Sequence, residues 1–183
     1  MVDAGRGLVG GEAKNLRWIV GRAEDAPLNP PYDLAAAGQS LHWMDWGVVL
    51  PRLASVLAPA GTLAIVGWDH APPAWQEPLA ALIRHASTNR EYRPYDLVQE
   101  LTGRNLFVPM GQWEGHTQSY WQLAADYVES LHARNGLSWD RMAPEAAEEF
   151  DQAVHRITQP FQVQGRLELF TAAQVVWGRP RAP

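Results

Sequence analysis

The clearest pattern of apolar and polar positions lies in residues 32–68, where the spacing of apolar residues changes twice. Residues 32–37 form a short apolar run that ends at Gly38. Residues 46–57 then carry apolar side chains at intervals of three and four, which is the spacing of one buried helix face. A second apolar run, residues 62–68, follows directly. This order predicts two parallel strands joined by a right-handed helical crossover.

The predicted strands end in two turns, residues 38–43 and residues 68–70. Ligands of open parallel sheets bind beyond the carboxyl ends of the strands, because the loops there surround a crevice. We therefore expect any ligand site of this protein to involve these turns.

Weaker patterns predict the remaining elements. Residues 15–20 are a strand candidate that ends at Gly21. Helices are expected at residues 75–87, 94–102, 121–131 and 144–159, and further strands at residues 116–120 and 165–177. No internal repeat or linker separates them, so one domain over residues 1–183 is expected.

Composition and charge narrow the class of protein. Of the 183 residues, 46% are hydrophobic and 19% are charged, as in a soluble globular domain. The absence of cysteine excludes disulfides, thiolate chemistry and Cys-based zinc sites. A net charge of −5 argues against nucleic acid as a partner. No apolar run reaches the roughly 20 residues of a membrane span, so we expect no membrane partner and a cytoplasmic location.

The glycines near the start match the spacing of a dinucleotide-binding loop. Gly5, Gly7 and Gly10 have the pattern G-x-G-x-x-G, which would suit a nucleotide-dependent oxidoreductase. Only four residues precede Gly5, too few for the strand that feeds such a loop. Adjacent Gly10 and Gly11 would also break the helix that should follow. We therefore interpret this stretch as a loop or a helix end.

Three short motifs occur in a defined order along residues 21–63. They are Gly21-Arg22-Ala23-Glu24-Asp25-Ala26-Pro27, then Tyr32-Asp33-Leu34-Ala35 with Gln39-Ser40-Leu41-His42-Trp43, and finally Leu57-Ala58-Pro59-Ala60-Gly61-Thr62-Leu63. In order and spacing the chain resembles the class I S-adenosylmethionine-dependent methyltransferases that act on small molecules. The resemblance covers residues 15–68 closely and residues 165–180 more loosely.

The resemblance implies a Rossmann-like α/β fold of three layers, α/β/α, with the sheet order 3-2-1-4-5-7-6. Residues 72–158 would form a largely helical cap on the substrate side. The family's first two strands and its glycine-rich cofactor loop lie upstream of the first motif, where residues 1–14 leave no room for them. The resemblance therefore implies a shortened chain and a sheet that is incomplete at its N-terminal side. Exposed sheet edges would be covered by re-pairing of strands or by a homodimer.

The resemblance also implies S-adenosylmethionine as cofactor and a small molecule as methyl acceptor. The cofactor contacts that it implies are Arg22, Ala23, Glu24, Gly38, Gln39 and Ser40. The first three would lie at the adenine ring, with Ala23 binding through its backbone amide. The last three would lie near the sulfonium. No histidines have the i, i+4 spacing of metal ligands, so no metal site is expected.

His42 is the candidate catalytic base, because it follows the strand that ends at the cofactor and histidine titrates near neutral pH. The alternative is a structural His42 that packs on Trp43, and His70 is a weaker candidate for the base. The function hypotheses are methyl transfer, a non-catalytic methyltransferase-like remnant that acts as a binding or scaffolding domain, and the oxidoreductase considered above.

Overall fold

The computed structural model describes residues 2–91, 93 and 95–182. The chain divides into two compact units, each with its own core. The first unit comprises the described residues up to Val66, together with Asp96–Trp113 and the residues from Val175 onward. The second unit comprises the described residues of Gly67–Tyr95 and Glu114–Gln174. The single domain over residues 1–183 with a cap at 72–158 stays a prediction.

Helices and strands alternate along most of the chain. The elements are α1 (Val2–Arg6), β1 (Tyr32–Gly38), α2 (Trp46–Val56), β2 (Leu57–His70), α3 (Gln76–Ala86), α4 (Leu97–Gly103), β3 (Phe107–Glu114), β4 (Gln118–Leu123), α5 (Ala124–Leu131), α6 (Pro144–Thr158) and β5 (Arg166–Pro180). The sheet has the order β1-β2-β5-β3, and β4 pairs with β5 outside this path. The resemblance implied the sheet order 3-2-1-4-5-7-6, and this path matches its last four positions, 4-5-7-6. In that numbering β1 is strand 4, β2 is strand 5, β5 is strand 7 and β3 is strand 6.

The first unit contains the predicted strand, helix and strand. β1 and β2 are parallel, and their register runs from Leu34 opposite Thr62 to Gly38 opposite Val66. α2 begins after Asp45, whose side chain accepts a hydrogen bond of 3.0 Å from the Gly47 N–H. This N-cap satisfies one of the donors that a helix start leaves open. The predicted order of strand, helix and parallel strand is therefore confirmed. The bounds of the second strand were wrong: β2 begins at Leu57 and ends at His70, so residues 68–70, predicted as a turn, belong to the strand.

The core of the first unit forms where α2 and α4 cover one face of the strands. Its fully buried members are Ala37, Leu41, Val49, Leu50, Leu63, Leu101, Leu106 and Phe107. α2 contributes Val49 and Leu50, which are adjacent in sequence and lie on the face that the apolar spacing predicted.

Residues 15–20, predicted as a strand, form none. Leu16 and Val20 are 50% and 82% exposed, and the Trp18 indole N–H donates instead to the Gly11 carbonyl at 2.7 Å. A strand is stable only when a neighbour completes its hydrogen-bond ladder, and the described part of the chain offers residues 15–20 no such neighbour. The prediction of a strand here was wrong because β propensity is decided by the partner more than by the sequence.

The second unit packs α3, α5 and α6 together with β4 and the first half of β5. Its buried apolar residues are Trp75, Leu79, Ala124, Tyr127, Val128, Leu131, Leu137, Met142, Ala147, Phe150, Val154, Leu167 and Leu169. β4 and β5 are antiparallel, from Gln118 opposite Thr171 to Leu123 opposite Arg166.

Two predicted helix starts needed correction. The helix predicted from residue 121 begins at Ala124, because residues 118–123 pair with β5 first. The helix predicted over residues 94–102 is α4, which begins after Asp96, whose side chain accepts from the Gln99 N–H at 2.9 Å. Pro94 itself lies outside the described residues. Within the described part of the chain, no helix is long and apolar enough to cross a membrane.

Gly178 provides a test of packing in the first unit. This buried residue has no room for a side chain, because a Cβ there would meet the Val108 carbonyl oxygen and lie 2.8 Å from the Phe107 ring. We expect Gly178→Ala to lower the free energy of unfolding by about 1–3 kcal/mol in denaturant titrations. Gly103→Ala is the control, since a Cβ at the end of α4 meets nothing within 4 Å. Equal stability of Gly178→Ala and the wild type would contradict this tight packing.

Candidate functional site

The turn after β1 lies in the first unit, at the carboxyl end of the strand. Gln39 has a φ of 45°, in the left-handed region, and its N–H donates to the Val66 carbonyl at 3.0 Å. The chain then forms a short 3-10 turn over Leu41–Trp43. Leu41 is buried in the core, and its carbonyl accepts from the Trp46 indole at 2.8 Å. These contacts fix the turn between β1 and α2 from both sides.

His42 and Trp43 project from this turn toward solvent. Their ring centroids are 5.0 Å apart and tilted, and Trp43 is 70% exposed. The His42 ring is exposed as well and has no hydrogen-bonding partner within the described residues. An exposed imidazole at the carboxyl end of a parallel strand is accessible to a ligand, and no hydrogen bond from the described residues orients it.

A second turn, residues 22–26, is held onto α2. The N–H groups of Asp25 and Ala26 both bond to the Arg22 carbonyl, at 3.3 and 2.9 Å. Arg52 of α2 donates to the Ala23 carbonyl at 2.6 Å and also to the Ala26 carbonyl. One guanidinium thus binds two carbonyls of the turn, a geometry that its planar fork of donors favours.

Glu24 connects the same turn to the start of α2. Its Oε1 accepts from the Asp45 N–H at 2.9 Å, and its Oε2 lies 3.4 Å from Arg22 Nε. The Asp45 N–H is the main reason that the pKa of Glu24 falls to about 2, with smaller contributions from its own backbone N–H and from Arg22. We call Glu24, Asp45 and Arg52 the polar clamp. This clamp joins the turn of residues 22–26 to α2. Its member Asp45, the N-cap of α2, follows Trp43 by two residues.

The polar clamp holds the 22–26 turn on the helix that follows the second predicted segment, and it limits which atoms of the turn are open to a ligand. Both oxygens of Glu24 have protein partners, one of which is Arg22. The Ala23 carbonyl is taken by Arg52, whereas the Ala23 N–H has no acceptor among the described residues. The Ser40 side chain makes no capping hydrogen bond. An open N–H and an uncommitted hydroxyl fit a ligand that has ring nitrogens and hydroxyl groups.

The other predicted contacts are placed as follows. Gly38 ends β1 opposite Val66, and the Gln39 N–H is used within the sheet, so these residues shape the turn through their backbones. Arg22 and Glu24 face each other and hold the turn. The cofactor contacts at Arg22, Ala23, Glu24, Gly38, Gln39 and Ser40, and the catalytic role of His42, stay predictions.

Sequence reasoning missed Arg52 and the role of Asp45 toward Glu24. Asp45 immediately before an apolar helical pattern is a recognisable N-cap signal, and its side chain does cap α2. Its backbone bond to Glu24 spans 21 residues, and the Arg52 contacts span 26 and 29. Patterns among neighbouring residues do not reveal contacts between residues that lie more than 20 positions apart in the sequence.

Among the histidines of the second unit, His70, His85, His116 and His155 are exposed, whereas His132 belongs to the core. His132 is buried, with Nδ1 2.6 Å from the Leu137 carbonyl and Nε2 2.8 Å from Asp151 Oδ1. A ring bound on both nitrogens and stacked on Trp139 is structural. The His70 ring lies 6.4 Å from that of Tyr120, whose pKa is raised by burial. The described residues contain no cluster of three metal-ligating side chains.

Comparison with known proteins identifies the fold. No family model matches the sequence, and no curated protein matches it. A candidate type II methyltransferase from Anaeromyxobacter dehalogenans has a similar structure, with a TM-score of 0.59 and 19% identity over 92% of this chain and 74% of that one. A candidate methyltransferase from Bacillus halodurans C-125 has a TM-score of 0.52 and 12% identity over 100% of this chain and 78% of its own. The Rossmann-like methyltransferase fold is therefore confirmed.

The polar clamp predicts a pH dependence of stability. The pKa of Glu24 lies below its ordinary value of 4.5, so ionised Glu24 stabilises the folded protein above about pH 4.5. This contribution is lost as the pH falls from 4.5 through about 2. We expect Glu24→Gln to lower the Tm at pH 7, and the difference from the wild type to shrink over this pH range. Thermal unfolding followed by circular dichroism measures it.

Asp25→Asn is the matched control, because it removes one carboxylate from the same turn without touching the polar clamp. It should change the Tm much less than Glu24→Gln at every pH. Equal effects of the two variants would mean that the net charge of the turn matters and the bond to Asp45 does not.

Proposed function

We propose that this protein binds S-adenosylmethionine at the turns of residues 22–26 and 38–43 and transfers the methyl group to a small molecule. The observation that carries the proposal is the hydrogen bond between Glu24 and the Asp45 N–H. It holds the turn of residues 22–26 at the start of α2, the helix that follows the turn of residues 38–43. That turn lies at the carboxyl end of β1, where open α/β sheets bind their ligands. The methyltransferase-type fold supports the same choice of ligand.

The backbone of the first turn supplies the contact to the adenine ring. The Ala23 N–H lacks a protein acceptor and would donate to a ring nitrogen, while Arg52 holds the Ala23 carbonyl and so fixes the direction of that peptide. Glu24 and Arg22 lie beside this contact. Since their charges are paired with each other, we assign them to positioning the turn rather than to a strong charged contact with the ligand.

The second turn supplies the contacts near the reacting end of the cofactor. Gly38 carries no side chain that would limit the approach of a ligand to the backbone. The strained Gln39 redirects the chain so that the Ser40 hydroxyl follows at the strand end. Bound S-adenosylmethionine supplies an electrophilic methyl group on a sulfonium, so the protein has mainly to align the acceptor and remove its proton.

His42 is the group that we propose for removing that proton. It follows Ser40 by two residues, is exposed, and is free of hydrogen bonds within the described residues, so an acceptor can reach it. The neighbouring Trp43 ring offers an apolar surface next to the imidazole. General-base catalysis by such a group contributes roughly 10²–10⁴-fold to the rate.

The alternative is a non-catalytic domain that keeps the fold and acts in binding or scaffolding. It is favoured by the engagement of both Glu24 carboxylate oxygens by Asp45 and Arg22, which leaves neither oxygen of Glu24 free for a cofactor. The two functions differ in whether the chain binds S-adenosylmethionine at all.

Cofactor binding is tested by calorimetric titration with S-adenosylmethionine and S-adenosylhomocysteine. We expect both to bind, and Ser40→Ala to weaken binding about 3-fold to 10-fold because one hydrogen bond is lost. Ser119→Ala, the same change on exposed β4, should leave the affinity unaltered. Absence of binding up to millimolar concentrations would exclude the methyltransferase function for this chain and leave the scaffolding alternative.

The role of His42 is tested by the formation of S-adenosylhomocysteine with a panel of phenol, amine and carboxylate acceptors. We expect His42→Gln to lower the turnover rate by about 10²–10⁴-fold while the dissociation constant of S-adenosylmethionine stays the same. His116→Gln changes another exposed histidine and should have no effect. Full activity of His42→Gln would leave His42 a structural role beside Trp43.

A further inference from the structure

His132 is a buried histidine of the second unit whose two ring nitrogens both face oxygen atoms. It follows α5 as its C-cap and is 4% exposed. Nδ1 lies 2.6 Å from the Leu137 carbonyl oxygen, and Nε2 lies 2.8 Å from Asp151 Oδ1 of α6. A carbonyl oxygen and an ionised carboxylate accept hydrogen bonds and donate none. Both contacts are therefore hydrogen bonds only when both ring nitrogens carry a hydrogen.

A neutral imidazole carries a hydrogen on one nitrogen only, so a second hydrogen makes the His132 ring an imidazolium. The extra proton belongs on the ring, because an imidazole binds a proton more tightly than a carboxylate does. The Asp151 side chain is 27% exposed, so its charge is also partly hydrated. The ring stacks on Trp139 with 3.9 Å between centroids, and the face of an indole attracts a cation.

The charges around the ring favour the same state. Asp151 approaches from α6, and the Trp139 indole N–H donates to the Glu129 carboxylate of α5 at 3.1 Å. The Phe150 ring packs at a steep angle, with 5.7 Å between centroids. An Nε2 without its hydrogen would place a lone pair against a carboxylate in a buried position. The other charged side chains nearby in the sequence are exposed, namely Arg134, Asp140, Arg141, Glu148 and Glu149.

The segment of residues 132–142 connects α5 to α6 and depends on few long-range hydrogen bonds. Its Leu137 and Met142 side chains are buried in the core of the second unit. Its Gly136 carbonyl accepts from the Thr88 N–H at 2.8 Å and from the Thr88 hydroxyl at 3.1 Å. The two bonds of the His132 ring join the start of the segment to its middle and to α6.

We propose that the second ring proton of His132 holds the 132–142 segment closed on α6, so that this segment is a pH-sensitive element of the second unit. With both hydrogens present, the ring donates to Leu137 and to Asp151. When one hydrogen is lost, one of these bonds becomes a contact between lone pairs, and opening the segment to water relieves it. Closing therefore binds one proton. The stabilisation is complete below about pH 6.5, where a free histidine is itself protonated, and it is lost as the pH rises.

Amide hydrogen exchange followed by NMR tests the proposal on the wild type. The reporters are the N–H groups of Leu137 and Met142, which bond to the Arg134 and Ser138 carbonyls. After correction for the intrinsic exchange rate, we expect their opening equilibrium to rise at least about tenfold between about pH 6.5 and pH 8.5, because the release of one proton permits up to tenfold per pH unit. The Leu79 N–H of α3 reports on the same core and should show no such rise. An opening equilibrium that is independent of pH, or that rises equally at Leu79, would overturn the proposal.

Asp151→Asn separates the proton from the hydrogen bonds. The asparagine amide can donate to Nε2 of a neutral ring while Nδ1 still donates to Leu137, so both bonds form without an extra proton. We expect the segment to stay closed and its opening equilibrium to change less than about twofold over the same pH range. Asp140→Asn is the matched control, because Asp140 is exposed in the same segment and other residues bind both ring nitrogens. It should keep the pH dependence of the wild type.

A pH dependence in Asp151→Asn equal to that of the wild type would contradict the role of the ring proton. If Asp151→Asn fails to fold, the imidazole ¹⁵N–¹H spectrum of the wild type at about pH 6.5 decides. Two ring N–H signals from His132 support the proposal, and a single one overturns it.

Discussion

The parallel ladder between β1 and β2 positions the candidate site residues of the turn that follows β1. Each β1 residue from Leu34 to Gly38 is paired, and the last bond, from the Gln39 N–H to Val66, is where the chain leaves the sheet. The crossover helix α2 packs its buried residues on one face of the two strands. Because α2 also carries Arg52 and begins at Asp45, the same element that buries the core holds the turn of residues 22–26.

The polar clamp explains how an irregular segment keeps a defined position without secondary structure. Residues 22–26 are mostly exposed and form no helix or strand, so apolar burial stabilises them little. Their carbonyls are bound by Arg52 and their carboxylate by the Asp45 N–H. Charged hydrogen bonds of this kind are directional, so Arg52 fixes the orientation of the Ala23 carbonyl. Glu24 therefore contributes to the candidate site by positioning its neighbour Ala23.

β1 shows a conflict between its sequence and its surroundings. Its run of apolar residues is typical of a parallel strand that is buried on both faces. In the described residues β1 pairs with β2 only, and Leu34 on the face away from the α2 core is largely exposed. Local and global preferences usually agree in a folded protein, so Leu34 is a point at which the apolar sequence of this strand and its surroundings disagree.

The sequence by itself determined the strand, helix and strand of residues 32–68, though not the exact bounds of β2, together with α3 and α6. Hydrophobic periodicity and capping residues act within a few positions of each other, so these elements are visible in the local sequence. Ser40 and His42 were found as candidates by the same local order of motifs. Only the tertiary structure decided that residues 15–20 form no strand and that α5 begins at Ala124, since strand formation depends on a hydrogen-bonding neighbour. It also revealed the polar clamp. Contacts across more than 20 residues depend on how the elements pack, which no local pattern encodes.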